Sequence, residues 1–205
     1  MLLASVDDIR SQLGFDPMTD INSAISMAMD AAEAQLAAIL NTEFDRASFV
    51  DTYFVREPPF RDGPAVETEF RLQRGMVQSL TQVVYAYQIS DLSNSAAYTD
   101  TTAVSVLSAD KGVVTDYQTH FMRQYVQISY TAGFDVDPST PGSYLLTEVP
   151  DWLQNAAKLR TLLSLADSPV LSEAQIKLDT RMLQTQFNAL VSRHMRYAPR
   201  SLLPL

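Results

Sequence analysis

Cysteine is absent from the 205-residue chain, and glycine, histidine and tryptophan are scarce, with six, two and one respectively. The lack of cysteine excludes disulfide bonds, thiolate catalysis and cysteine-ligated metals, and it leaves the compartment open. Six glycines leave little backbone for a phosphate-cradling loop, and neither H-E-x-x-H nor G-x-S-x-G occurs. His120 and His194 stand 74 positions apart and indicate no shared site. These shortages remove the common signatures of an enzyme.

Long apolar runs are also missing. No stretch approaches the roughly 20 apolar residues that a membrane span requires. The first ten residues, MLLASVDDIR, lack the basic region that opens a signal peptide. We therefore expect no contact with a membrane. With 46% hydrophobic and 19% charged residues, the chain can bury an ordinary core in one domain, or in one domain with a large insertion.

Charge is distributed unevenly along the chain. Residues 1–150 hold 20 acidic and 8 basic residues, whereas residues 151–205 hold 4 acidic and 7 basic ones. No acid follows Asp179, and the arginines beyond it are Arg181, Arg193, Arg196 and Arg200. The acidic body argues against a reader of nucleic acid, because such proteins carry a basic footprint. The basic end indicates an acidic partner, although cations also suit the carbonyl end of a terminal helix.

Two short groups of carboxylates are the remaining candidates for chemistry. Asp7 and Asp8 stand at the start of a predicted helix, where acids complement the helix dipole, and Asp135 and Asp137 stand in a predicted loop. These local roles explain both groups better than catalysis or calcium binding does. We therefore predict that the chain is not an enzyme and has no catalytic residue, no cofactor site and no metal site.

Hydrophobic periodicity predicts an α+β fold. Spacings of three and four residues indicate a short helix ending at Gly14, a long helix from Ile21 to about Leu40, and two C-terminal helices. The third helix is expected to open at Pro150 and to break at 167–169, and the fourth to run from Ser172 to about Arg196. Two-residue periodicity and turn signals between the helices predict a small antiparallel β-module. Its strands are expected within 48–56, 70–72, 77–87, 103–107, 113–114 and 124–130.

The order of these elements predicts a helical core with an inserted β-module. Residues 1–43 would supply two N-terminal helices, residues 44–130 the β-rich insertion, and residues 131–196 two C-terminal helices. Within the insertion, residues 91–100 read as a polar turn. Residues 197–205 form an extended arm, because its two prolines prevent a continuous helix.

The junction between the last strand and the third helix is the most distinctive part of the sequence. Tyr130-Thr131-Ala132-Gly133-Phe134 ends the strand, and Val149-Pro150-Asp151-Trp152-Leu153-Gln154-Asn155-Ala156-Ala157 opens the helix. In order and spacing these strings resemble the head-tail connector (adaptor) proteins of tailed bacteriophages. In that family a strand ending in Y-x-A-G-F/Y leads through a variable loop to V-P-x-x-[LI]-x-x-A. Further stretches similar to the family lie at 6–15, 42–46, 51–55 and 110–114.

The resemblance implies a structural virion protein that assembles in the cytoplasm of the bacterial host. Copies of such a protein form a ring, typically of twelve, under the portal vertex, and the ring extends the DNA channel and receives the stopper or tail. Double-stranded DNA passes through the lumen without sequence-specific binding, which an acidic surface favours. The expected partners are the portal protein, a stopper or tail-completion protein, and further copies of the chain.

The C-terminal arm is the second indication of function. Free ends of soluble domains are usually polar, whereas this one combines arginine with leucine and proline. We predict that it docks on a partner, with its leucines buried and its arginines against carboxylates, rather than folding back over its own core. The resemblance makes that partner the portal. The portal-binding residues are expected to be Arg193, Arg196, Tyr197, Arg200, Leu202, Leu203 and Leu205.

Two other functions stay open at this point. One is another neck or tail-completion protein, which is also structural. The other, in a different class, is a β-rich ligand-binding module or an enzyme with a site that motifs do not reveal. A deep polar pocket with strongly shifted carboxylates would favour the enzyme.

Overall fold

The computed structural model describes residues 2–15, 21–55, 68–116, 123–166, 168, 171 and 177–195. The described residues contain four α-helices and seven strands, which confirms the predicted α+β fold. The helices are α1 (Val6–Gln12), α2 (Asn22–Leu40), α3 (Asp151–Ala166) and α4 (Thr180–His194). The strands are β1 (Ala47–Val55), β2 (Thr68–Arg71), β3 (Val77–Ala86), β4 (Thr99–Asp100), β5 (Val104–Ser108), β6 (Val113–Asp116) and β7 (Gln124–Ala132).

The described chain packs as two compact units. The helical unit comprises the described residues of 1–41 and 134–195, and the β unit comprises those of 42–133. The chain therefore enters the β unit after Asn41 and leaves it after Gly133. Both residues have a positive φ, 49° at Asn41 and 87° at Gly133. Asparagine and glycine adopt this left-handed backbone with the least strain.

The helical unit is built around α3, which packs against both α2 and α4. Each helix buries one face, which is formed by residues spaced three and four positions apart. None of the helices in the described residues combines the length and the apolar character that crossing a membrane demands. The buried side chains of the three helices include Ile25, Met29, Leu36, Leu40, Leu153, Ala156, Leu162, Leu165, Leu183, Phe187 and Val191.

The helix predicted from Ser172 to about Arg196 is not continuous, and the helix α4 begins at Thr180. Residues 177–179 are not helical, and 172–176 lie outside the described residues. Asp179 is the N-cap, because its Oδ1 accepts a hydrogen bond from the backbone N–H of Met182 at 2.9 Å. An aspartate in this position stabilises a helix start by about 1 kcal/mol. The helix that carries the basic C-terminal residues is therefore shorter than predicted, and it ends at His194.

The β unit contains two antiparallel sheets, with strand orders β1-β7-β3-β4 and β2-β6-β5. β7 is a central strand, paired with β1 from Ala47↔Ala132 to Val55↔Gln124 and paired with β3 on its other side. Its side chains alternate between buried and half-buried, as the two-residue period of a strand requires. The core of the unit includes Tyr53, Phe70, Leu72, Val114, Val126, Ile128 and Tyr130.

The segment 91–100 is more ordered than a polar turn. A 3₁₀ helix spans Ile89–Ser93, and β4 pairs with β3. Leu92 is only 6% exposed and packs with Val84, Ala86 and Tyr125. A single leucine in a polar stretch has no periodicity, so the sequence pattern does not reveal this packing.

A buried carboxylate links three parts of the β unit. Asp51 on β1 is 2% exposed, and its Oδ2 accepts hydrogen bonds from the backbone N–H of Gln73 at 2.6 Å and from the Tyr130 hydroxyl at 3.0 Å. The Tyr130 oxygen in turn accepts from the N–H of Arg74 at 3.1 Å. The Tyr53 hydroxyl donates to the carbonyl of Arg71 at 2.8 Å. The segment between β2 and β3 is therefore held to β1 and β7 by hydrogen bonds.

Replacing Asp51 with alanine should destabilise the β unit by about 3 kcal/mol or more. Hydrogen bonds to a charged group contribute about 1.5–3 kcal/mol each, and the substitution leaves the Gln73 N–H and the Tyr130 hydroxyl without their acceptor. Urea unfolding of the purified protein measures the change. Asp100→Ala is the matched control, since this exposed aspartate accepts a hydrogen bond from Gln82 at 2.8 Å. Asp51→Ala should lower the free energy of unfolding clearly more than Asp100→Ala does. Equal losses would show that the buried network contributes no more to stability than one exposed hydrogen bond.

Candidate functional site

β7 ends at a turn where a side chain has no room. The N–H of Gly133 donates to the carbonyl of Met76 at 2.9 Å, and its φ is 87°. A Cβ added at Gly133 would lie 2.3 Å from the carbonyl oxygen of Asp45 and 2.7 Å from that of Phe44. Real Cβ atoms do not approach other atoms this closely, so both the backbone conformation and the space require glycine. The glycine of the Tyr130–Phe134 string is thus explained by a backbone contact.

The loop that follows Gly133 packs against the helical core of its own unit. Phe134 is 1% exposed, and its ring lies edge-on to that of Tyr144 with centroids 5.9 Å apart. The Tyr144 hydroxyl donates to Glu33 Oε1 on α2 at 3.0 Å. The backbone N–H of Tyr144 also donates to the carbonyl of Leu2 at 3.2 Å. The final aromatic residue of the first string therefore anchors the loop by packing.

The residues of the second string, which runs from Val149 to Ala157, also serve packing at the start of α3. Val149, Leu153 and Ala156 are the apolar positions of the V-P-x-x-[LI]-x-x-A pattern, and all three are buried. The carbonyl of Pro150 accepts hydrogen bonds from the next helical N–H groups, and Gln154 Nε2 donates to the carbonyl of Val149 at 2.9 Å. Both strings are therefore parts of one strand-loop-helix joint, and their defining residues serve packing and backbone geometry.

The carboxylates that were candidates for chemistry have local partners. Asp7 lies 2.7 Å from Arg10, and Asp8 lies 2.6 Å from Lys158 on α3. Asp137 accepts hydrogen bonds from the hydroxyl and the backbone N–H of Ser139, and the hydroxyl bond is the main reason that the pKa of Asp137 is lowered. Within the described ranges no three His, Asp or Glu side chains come close enough together to hold a metal ion. These contacts account for the acidic groups as helix and loop structure.

Glu33 on α2 is a partly buried acid beside this loop. Burial raises the pKa of Glu33 above its ordinary value of 4.5, and neighbouring charged and hydrogen-bonding groups, the Tyr144 hydroxyl among them, lower it only in part. The carboxyl group of Glu33 points to the loop that carries Tyr144. The shift therefore reflects the burial of Glu33 beside the loop that carries Tyr144.

One residue of the predicted portal-binding set lies in the described structure. Arg193 is exposed in the last turn of α4, while Arg196, Tyr197, Arg200, Leu202, Leu203 and Leu205 lie outside the described residues. Beside Arg193, the ring of His194 stacks on Trp152 with centroids 3.8 Å apart and an interplanar angle of 4°. The stack joins the last turn of α4 to the first turn of α3. Sequence spacing could not predict it, because the two residues are far apart in the chain.

Comparison with known proteins gives only distant likenesses. No family model matches the chain, and no curated protein matches it. Among solved structures, the chain is similar to a chain in the neck of an empty gene transfer agent particle computed with C6 symmetry, at 14% identity and a TM-score of 0.46 over 97% of this chain and 92% of that chain.

Two further structures give similar values. A chain in the virion of a native gene transfer agent particle has 14% identity and a TM-score of 0.47, over 97% of this chain and 92% of that chain. A chain in the neck of a native particle computed with C12 symmetry has 14% identity and a TM-score of 0.46, over 95% and 90%. These values assign no function, which depends instead on the residues of the chain itself.

Replacing Gly133 with alanine should destabilise the protein more than the same change at Gly142. Gly142 has nearly the same φ, 85°, but an added Cβ would meet nothing within 4 Å. Gly142→Ala should therefore cost only the left-handed strain of about 1–2 kcal/mol. Gly133→Ala adds a steric clash, for which overpacking costs suggest about 1–3 kcal/mol more. Chemical unfolding of both variants measures the difference, and equal losses would refute the close contact at Gly133.

Replacing Glu33 with glutamine should raise the melting temperature at pH 7. The raised pKa means that the neutral form fits the fold better, so its contribution is complete below the unfolded value of 4.5 and is lost as the pH rises through the folded value. Glutamine is neutral at every pH and keeps an oxygen for the Tyr144 hydroxyl. Thermal scans from pH 4 to pH 8 should show the advantage of the variant disappear on acidification. The exposed Glu69→Gln is the control, and a pH-independent effect at Glu33 would contradict this account.

Proposed function

We propose that the chain is a structural virion protein, a head-tail connector that docks on the portal vertex, extends the DNA channel and receives the stopper or tail. The observation that supports this most directly is the joint between β7 and α3. Gly133 is held against two backbone carbonyls, Phe134 anchors the following loop, and Val149 and Leu153 seat the helix that comes next. A strand-loop-helix joint of this kind is what the resemblance to the adaptor proteins implies.

The protein acts as a ring of copies, twelve by that resemblance, which assembles in the host cytoplasm and becomes part of the virion. A closed ring of identical subunits needs two different surfaces on each subunit, one for each neighbour. The two parts of the chain carry opposite net charge, because residues 1–150 have an excess of acids and residues 151–205 an excess of bases. This asymmetry favours head-to-tail contacts over contacts between identical patches.

The acidic charge also suits a channel through which DNA moves. The chain has a net charge of −9 at pH 7. Duplex DNA is densely charged, and a protein binds it tightly only by neutralising phosphates with lysine and arginine. A lumen lined by acidic subunits repels the phosphates and prevents DNA from sticking during passage. Double-stranded DNA is therefore a transient passenger and not a specifically bound ligand.

The segment from Arg193 to Leu205 is the proposed contact with the portal. Three of its arginines have no acid near them in sequence, and three leucines follow Pro199. Burying one leucine side chain contributes on the order of 1.5–3 kcal/mol, and a desolvated arginine-carboxylate pair contributes a similar amount. Around a ring, many weak arms act together through their high effective concentration. The stack of Trp152 on His194 gives this segment a fixed starting place at the end of α4.

Removal of residues 197–205 should leave a folded protein that no longer binds portal. The deletion takes away the leucines and Arg200 but leaves α4 and the described core intact. Circular dichroism and thermal melting check the fold, and co-sedimentation with portal-containing heads measures binding. A matched variant keeps the full length and replaces only Leu202, Leu203 and Leu205 with serine. Unchanged binding by both variants would show that the arm is not the docking element.

A further inference from the structure

Two hollows adjoin the first two turns of α4, and Arg181 lines both of them. The first has a volume of about 490 Å³ and is lined by Arg160, Leu163, Ser164, Thr180, Arg181 and Gln184. The second has a volume of about 320 Å³ and is lined by Asp179, Arg181, Met182, Thr185 and Gln186. We refer to these linings together as the Arg181 surface.

Arg160 is held in position on the Arg181 surface. Its Nε donates a hydrogen bond to Gln35 on α2, and its guanidinium lies 5.8 Å from the ring centroid of Phe187. Neither Arg160 nor Arg181 has an ion pair within the described part of the chain. A cation that is already ordered loses less conformational entropy when a partner binds. The surface therefore presents fixed positive charge that is not neutralised by the described residues of its own chain.

Asp179 is the one acidic residue in the two linings, and its carboxylate already accepts a hydrogen bond. Asp179 accepts the hydrogen bond that caps α4, from the N–H of Met182 at 2.9 Å. The side chain of Met182 is 52% exposed and supplies an apolar contact beside Arg181. Arginine and methionine are enriched in protein-protein interfaces, where a cation beside apolar area favours a carboxylate-bearing partner. The side chains of Thr180 and Gln186 add hydrogen-bonding groups for the same partner.

We infer that the Arg181 surface binds an acidic segment of a second copy of this chain. Residues 1–150 carry 20 acids against 8 bases, so the complementary charge is present on every copy. The contact joins two different surfaces, which is the heterologous geometry that closes a ring. The inference rests on the proposed ring and specifies which face of each subunit meets its neighbour. It also explains how subunits that each carry a net charge of −9 associate in spite of their repulsion.

Charge reversal at Arg181 tests the inference. Arg181→Glu should raise the subunit concentration at which rings form on portal by about tenfold or more, which corresponds to about 1.4 kcal/mol for each subunit contact. Arg46→Glu is the matched control, because it makes the same change of charge at an exposed residue of the β unit. Negative-stain imaging counts rings across a concentration series, and thermal melting verifies that each variant is folded. High salt should weaken wild-type rings and narrow the gap between the variants.

A cross-linking experiment identifies the occupant. Arg181→Lys keeps the positive charge and introduces an amine that a carbodiimide can couple to a carboxylate in contact with it. Rings made from an equal mixture of isotope-labelled and unlabelled copies should give cross-linked peptides that contain one labelled and one unlabelled partner. The acidic member should come from residues 1–150. Cross-links to portal carboxylates alone, or retention of duplex DNA by wild-type protein that Arg181→Glu lacks, would overturn the inference.

The outcomes separate this inference from the proposed function. If wild-type protein and Arg181→Glu form rings on portal at the same concentration, the inference is wrong and the connector function stands. If wild-type protein forms no ring on portal under any condition tested, both are wrong. Loss of rings in Arg181→Glu but not in Arg46→Glu, together with mixed-isotope cross-links, supports the inference.

Discussion

The close contact at Gly133 is the constraint on which the rest of the described β unit depends. There the end of the central strand β7 meets the carbonyl oxygens of Phe44 and Asp45, which precede β1, and it hydrogen-bonds to Met76, which precedes β3. Three segments far apart in sequence are thus fixed against one another before the chain leaves the β unit. The pairing of β7 with both β1 and β3 extends from this point. A side chain at position 133 would separate the ends of all three strands.

The network around Asp51 stabilises the same unit by different means. Tyr130 stands three residues before Gly133 and brings its hydroxyl to the buried carboxylate, while Gln73 and Arg74 supply backbone donors. A buried carboxylate is costly unless its hydrogen bonds are satisfied, so these donors must be present for the fold to form. The Tyr130 and Gly133 positions of one short string therefore fix the side-chain network and the backbone turn respectively.

Much of the fold was predictable because local pattern decides it. The start of α3 follows from Pro150, and the strands predicted at 77–87 and 124–130 correspond to β3 and β7. The Asp51 network was not predictable, since it joins residues 51, 73 and 130, which only the sheet brings together. The interruption at 177–179 was not predicted because Ser172 and Asp179 both suit an N-cap, and sequence alone does not rank them.

The candidate functional residues were also predictable only in part. The resemblance drew attention to the joint and to the arm, and the charge pattern singled out the arginines after Asp179. The charge pattern did not distinguish Arg181, which lines two hollows, from Arg193, which is next to His194 of the Trp152–His194 stack. That distinction depends on how α3 and α4 pack, and it separates a proposed contact between copies from a proposed contact with the portal.

The proposed connector function would make the protein a subunit that acts by assembling into a ring, so assembly is the property to measure. Imaging of the purified protein, alone and mixed with portal, tests this claim most directly. The account predicts ring-shaped particles with a central channel that stack on the portal, with the portal promoting their formation. A protein that stays monomeric at high concentration in the presence of portal, and that is absent from assembled particles, would contradict it.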